Sequence, residues 1–218
     1  NFGENHPLTG YAYINIAGVL TSLEEKEKLI EALRYAKLGF DIIKDQFGDS
    51  HPQTANAYIT LGRVYFYRGS TEDYLKTKSY YEKALAIRKL NFGENHPAVA
   101  GVYSFLSGVL RTLGDMENLK KAEYELRKAL AIRKFHFGER HPYYALSLVE
   151  LAKIKIAQNG RENLLHAKEL YQEVLSIRIN EYGENSLDVA NVYYNLGHVC
   201  FMMEGQENWN QAEVHFLR

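Results

Sequence analysis

The chain has 218 residues, 46% of them hydrophobic, which is ample material for a core and far from the composition of a disordered chain. Its 26 lysines and arginines nearly balance 27 acids, so there is no overall field to draw in nucleic acid, and no apolar run nears the roughly 20 residues needed for membrane insertion. A single cysteine, Cys200, allows no internal disulfide and points to a reducing compartment: the cytoplasm, or the cytosol of a host cell for a bacterial effector.

The phrase FGENHP at residue 2 returns as FGDSHP at 47, FGENHP at 92, FGERHP at 137 and YGENSL at 182. Phe2, Phe47, Phe92, Phe137 and Tyr182 therefore sit at intervals of 45 residues, without insertion or deletion. A fixed period in this range is the signature of a solenoid. The expected organisation is one array over residues 1–218 of nearly five units, 1–46, 47–91, 92–136, 137–181 and 182–218. Because residue 1 is Asn and the last unit breaks off at Arg218, the chain is expected to be a piece of a longer one.

Within each unit the elements follow in a fixed order. Gly3, Gly48, Gly93, Gly138 and Gly183 read as helix terminators in the left-handed conformation, with the Phe or Tyr before each packing the corner. The four prolines, Pro7, Pro52, Pro97 and Pro142, all take the same place, and proline favours the first turn of a helix. The residue before them is His6, His51, His96 or His141. Stacked hairpins advance by about 10 Å, too far for a histidine row to share one metal ion, whose ligands lie about 2 Å away. The fifth unit has Ser186 there, a preferred cap, so the row is expected to cap helices.

The helix that follows carries Tyr13, Tyr58, Tyr103, Leu148 and Tyr193, three residues before Ile16, Leu61, Leu106, Leu151 and Leu196. One face is thereby apolar. The next row is small, Ala17, Gly62, Ser107, Ala152 and Gly197, as the close approach of another helix requires. A turn around Gly69, Gly114, Gly160 or Gly205 leads to a second helix, whose start carries Glu27, Glu72, Glu117, Glu162 and Glu207, where negative charge suits the positive end of a helix. Its body has Ala32, Ala122, Ala167 and Ala212, with Thr77 as the exception, and then KALAIRK or a relative. Each unit is a helical hairpin whose apolar seam is buried only by stacking.

The order Tyr58, Leu61-Gly62, Tyr65, then Tyr81 and Ala84 resembles the tetratricopeptide repeat, and the phrase ALAIRK…FGENHPAVA resembles the repeats of kinesin light chains. The resemblance spans almost the whole chain, with extra residues between the helices, and implies an all-α fold: a right-handed α-solenoid of antiparallel helix pairs in a superhelix, with the first helices lining the concave face. It also implies a non-catalytic scaffold or adaptor for protein–protein interaction, with no cofactor. The exposed positions it assigns to that face include Asn56, Arg63, Phe66, Tyr67, Arg111, Lys153, Asn191, Tyr194, His198 and Phe201. These make a basic and aromatic groove suited to an extended peptide with acidic residues and a bulky apolar anchor, and light-chain arrays read cargo peptides of that kind. Asn56 and Asn191 would bond the peptide main chain. Carboxylate clamping of the chaperone-tail type is disfavoured, because Ile14, Ile59, Gly18 and Arg63 stand where lysine and asparagine would be wanted.

No motif for phosphate binding, zinc or a nucleophile is present, so the chain is read as not an enzyme. Cys200 lies two residues after His198 and points elsewhere on a helix, in the packing row of Tyr65 and Leu110. Arg88, Arg133 and Arg178 form a further row, read as a solvated face paired with nearby glutamates rather than a stripe for phosphate. The alternative to the adaptor is a structural or regulatory repeat arm of a larger protein, in which exposed end faces would allow end-to-end self-association.

Overall fold

The computed structural model describes residues 5–218, so Phe2 and Gly3 lie outside the described residues. The described residues form ten helices and no strand: α1 (Pro7–Ser22), α2 (Lys26–Phe47), α3 (Pro52–Arg68), α4 (Thr71–Phe92), α5 (Pro97–Leu113), α6 (Met116–Phe137), α7 (Pro142–Gln158), α8 (Arg161–Tyr182), α9 (Leu187–Met202) and α10 (Gln206–Phe216). Odd-numbered helices are the first members of the repeats and even-numbered helices the second. The chain falls into two compact units, residues 1–113 with α1 to α5 and residues 114–218 with α6 to α10. The division runs through the third repeat, between its two helices.

Each first helix starts as its letters require. The imidazole Nδ1 of His6, His51, His96 and His141 accepts a hydrogen bond from the backbone N–H of Leu8, Gln53, Ala98 and Tyr143, at 3.1 to 3.2 Å. Each donor is the second residue of its helix, just beyond the proline. Ser186 serves α9 by accepting from Val189, one residue further on. The aromatic of the corner has a more definite task than filling space: Phe47, Phe92 and Phe137 stack on His51, His96 and His141, with ring centroids 4.6 to 4.9 Å apart. The one corner that lacks the histidine has Tyr182 for Phe, and that ring is half exposed. Ring and cap are one device.

The glycines after the second helices have positive φ, 79° to 83°, but ψ lies between 160° and 172°. This is the extended region open to glycine alone rather than the left-handed helical one expected. Gly69, with ψ 4°, is a left-handed helical cap at the end of α3.

In the first unit α1 pairs with α2 and α3 with α4, while α3 also packs on α2 and α5 on α4. Gly62 is where the α3–α4 seam is tightest, since a Cβ there would lie 2.5 Å from the Tyr81 ring. The ring occupies the place of the missing side chain and meets Phe105 of α5 at 5.5 Å. Thr77, the exception in the alanine row, is fully buried, and its hydroxyl lies 3.0 Å from the Gly62 carbonyl and 2.9 Å from that of Asp73. The exception is thus a polar clamp on the same seam. Around it, Val64, Val99, Val102 and Val109 are wholly buried.

In the second unit α7 pairs with α8 and α9 with α10, while α7 packs on α6 and α9 on α8. Gly197 repeats the device of Gly62, with Phe216 as the ring 2.5 Å from a Cβ built there. The core is aliphatic, including Leu126, Ile154, Val174 and Leu196, with one fully buried tyrosine, Tyr171. Cys200 is buried among them as a free thiol, and burial pushes its pKa up. No helix of the described residues is long and apolar enough to cross a membrane.

Candidate functional site

The first helices decide which side chains are offered to solvent. On α3 of the first unit the seam takes Tyr58, Leu61, Gly62 and Tyr65, and helical spacing leaves Asn56, Ile59, Arg63 and Phe66 on another stripe with Tyr67 beside it. Arg63 is exposed, and its guanidinium donates one long hydrogen bond, 3.4 Å, to the carbonyl of Gly18 on α1. It has no carboxylate partner among the described residues. Tyr67 is 41% exposed one turn on. Burial raises the pKa of the Tyr81 phenol of α4, with the Arg63 charge opposing and Tyr67 adding.

Other predicted members are less available. The Asn56 side chain accepts from Arg88 at 2.9 Å and donates to Gln53 at 3.1 Å, so it is engaged within the protein. Phe66 is half-buried against the ring of Tyr74 at 5.5 Å and belongs to the α3–α4 seam as much as to the surface. Arg111 on α5 is half-buried.

In the second unit, Lys153 of α7 is paired with Glu150 at 2.7 Å, so its charge is met by its own helix. Asn191, Tyr194, His198 and Phe201 lie on one face of α9, and all four are exposed; Tyr194 and Phe201 show 63% and 62% of their surface. Tyr194 leans on Phe216, with centroids 5.9 Å apart. The surface of α9 is thus aromatic, and that of α3 is aromatic and basic.

The arginine row departs from its reading. Among the described residues none of the three pairs with a glutamate, and all three are half-buried. Arg88 reaches across the corner to donate to the Ala98 carbonyl at 2.6 Å and to the Asn56 amide oxygen. Arg133 bonds the Ser147 hydroxyl. Arg178 donates to the Asp188 carbonyl at 2.9 Å and lies 3.4 Å from its carboxylate. Burial lowers the pKa of Arg88 and Arg133. Each arginine latches a second helix to the first helix that follows, a reach across a corner that helical spacing on one element does not display.

A second group escaped the sequence reading. Lys155 occupies the row of Tyr65, Leu110 and Cys200 and is buried, with its ammonium 2.8 Å from a Glu123 oxygen of α6. Gln158 and Arg127 bond the same carboxylate. Burial alone would raise the Glu123 pKa, but the hydrogen bonds from Lys155, Gln158 and Arg127 outweigh it and hold the carboxyl at about 2. The available signal was a lysine in an otherwise apolar row. Among the described residues, no three His, Cys, Asp or Glu side chains come together to hold a metal.

Residues 54–98 and 111–143 match the tetratricopeptide repeat family. The fold is similar to that of the nearly identical TPR-like repeats ascribed to a kinesin light chain of Podosopora anserina, at 19% identity, covering 96% of both chains with a TM-score of 0.74. A single-substitution form of those repeats aligns with a TM-score of 0.75 at 19% identity, over 96% of this chain and 95% of that one. BtubC (BKLC) from P. vanneervenii is similar over 96% of this chain and 86% of its own, at 18% identity and a TM-score of 0.64. No curated protein matches the chain.

Proposed function

Taking the chain as what its repeats make it, a tetratricopeptide-repeat protein with the fold of kinesin-light-chain-like arrays, we propose that it is a non-catalytic scaffold that binds an extended acidic and aromatic peptide on its first helices. The fold supports protein–protein interaction in general. The finer reading rests on one observation: Arg63 is exposed beside Tyr67 and held only by a long bond to a carbonyl, whereas the other basic member with a defined partner, Lys153, is neutralised by Glu150. A cation held ready without a counter-ion steers and orients an acidic segment, and a neighbouring ring supplies apolar area for an anchor. In the second unit the exposed rings of α9 offer area of the same kind without the arginine. Asn56, Phe66 and Arg111 border this surface from more buried positions.

Peptide display against the purified chain tests the reading. Acidic sequences containing an aromatic residue should be selected, and Arg63→Glu should remove them, while Lys153→Gln combined with Glu150→Gln, which removes a neutral pair without changing net charge, should change the yield little. Selection of basic peptides, or acidic selection that survives Arg63→Glu, would overturn it.

A second reading, the self-associating arm, is favoured by one contrast. Val64, Val109, Ile154 and Val199 are wholly or almost wholly buried, but Val19, the same row on α1, is 65% exposed with Ile16 and Leu23 beside it. Sedimentation over a concentration series, with Val19→Glu as the control, separates an arm from a monomeric scaffold.

A further inference from the structure

The arginine row has a gap. Forty-five residues before Arg88 stands Ile43, buried in α2. In the other three corners the guanidinium goes to the carbonyl of Ala98 or Asp188, to the hydroxyl of Ser147, or to the amide of Asn56. Shifted by the period, those positions in the first corner are Gln53, Ala57 and Tyr11. All three line a single pocket of about 330 Å³ between α1, α2 and α3. Ile43 forms part of its wall with Ile14. The pocket therefore lies where the later corners place the protein's own arginine, and it has the size of a small ligand site.

The lining suits the same group from outside. Arg88 shows that no carboxylate is required, because its bonds go to a backbone carbonyl and a side-chain amide. The first corner offers the Gln53 carbonyl in the place of Ala98, the Asn15 amide at the wall, and the Tyr11 ring, on whose face a planar cation can lie. The apolar wall of Ile14 and Ile43 matches the methylene stem of such a side chain. A lysine ammonium is a compact, strongly hydrated point charge that cannot lie flat on the ring as the planar guanidinium does and gives up more hydration on entering such a lining.

We infer that this pocket of the first unit is a socket for an arginine side chain of a partner protein, whose guanidinium takes the position that Arg88 and Arg178 hold in their own corners. The inference stands on the internal repeat and not on the Arg63 surface, so the two fail separately.

The test uses the whole chain, labelled for nuclear magnetic resonance, with N-acetyl-arginine amide, N-acetyl-lysine amide and N-acetyl-leucine amide as probes. The arginine probe should shift the amides of Ile43, Gln53 and Ala57 saturably, with an affinity at least about fivefold above that of the other two. Ile43→Arg, which fills the socket from within as in the later corners, should abolish those shifts. If that variant does not fold, Tyr11→Ala should weaken the arginine probe by about fivefold while leaving any leucine response unchanged. Leucine binding within about fivefold of arginine would make the pocket an apolar one, and lysine binding within about fivefold would make it a charge effect; either overturns the inference. So does the absence of shifts at these amides, or arginine binding that survives Ile43→Arg.

Discussion

One row of the first helices is solved in opposite ways in the two units. On α3 the row holds Tyr65, buried, whose ring stacks on Tyr80 of α4 at 5.6 Å. On α7 it holds Lys155, almost as buried, whose ammonium is tied to Glu123 of α6. The tyrosine closes its own hairpin, and the lysine fastens its hairpin to the helix before it. A repeat position thus fixes where a side chain lies but not which neighbour it serves. The apolar solution needs only shape, whereas the ionic one depends on every partner, since a buried charge that loses its counter-ion is costly.

The aromatic seam should show the largest effect. Gly62→Val drives side-chain atoms into the Tyr81 ring and should destabilise the first unit by about 3 kcal/mol, read by chemical denaturation. Ala152→Gly, at the same row in the second unit, removes a methyl without a clash and should cost about 1 kcal/mol. A smaller loss at Gly62 than at Ala152 would mean that the seam is loose.

The ionic seam should respond next. Glu123→Gln leaves the Lys155 ammonium with amide acceptors such as Gln158 but no carboxylate, and should cost about 2 kcal/mol, less than for a fully buried pair because water reaches part of the group. Acid should act in the same place. The Glu123 carboxyl is depressed from 4.5 to about 2 in the folded chain, so its contribution is present above about pH 4.5 and is lost as pH falls toward 2. Stability measured across that window should drop more steeply in the parent than in Glu123→Gln, and parallel curves would contradict the pairing.

The smallest effects belong to the corners. His51→Ala loses both the cap to Gln53 and the stack on Phe47 and should cost about 1 kcal/mol, while His51→Ser, copying Ser186 of the fifth corner, should recover the cap and cost less than half of that. Equal losses would show that the ring contact outweighs the cap.

The parts of the fold that were legible are those set by neighbours in sequence. A proline after a histidine, a glycine beyond a helix and an acid in a first turn act within a few residues, and the 45-residue period repeats each of them for comparison. What escaped depends on reach between elements. Glu123 and Lys155 are 32 residues apart on different repeats, and the latches of Arg88, Arg133 and Arg178 cross a corner that a helical wheel cannot show. The candidate surface divides in the same way. Exposure of Arg63, Tyr194 and Phe201 follows from helical spacing, whereas the engagement of Asn56 by Arg88 and of Lys153 by Glu150 is a matter of which side chain lies opposite which.

The central claim is that partners are read on the first helices, and the direct measurement is amide chemical-shift mapping of the labelled chain with an acidic, aromatic-containing peptide. Saturable shifts should concentrate on α3 around Arg63 and Tyr67, and Arg63→Glu should remove them. Shifts concentrated on the second helices α2 and α4, unchanged by Arg63→Glu, would contradict it.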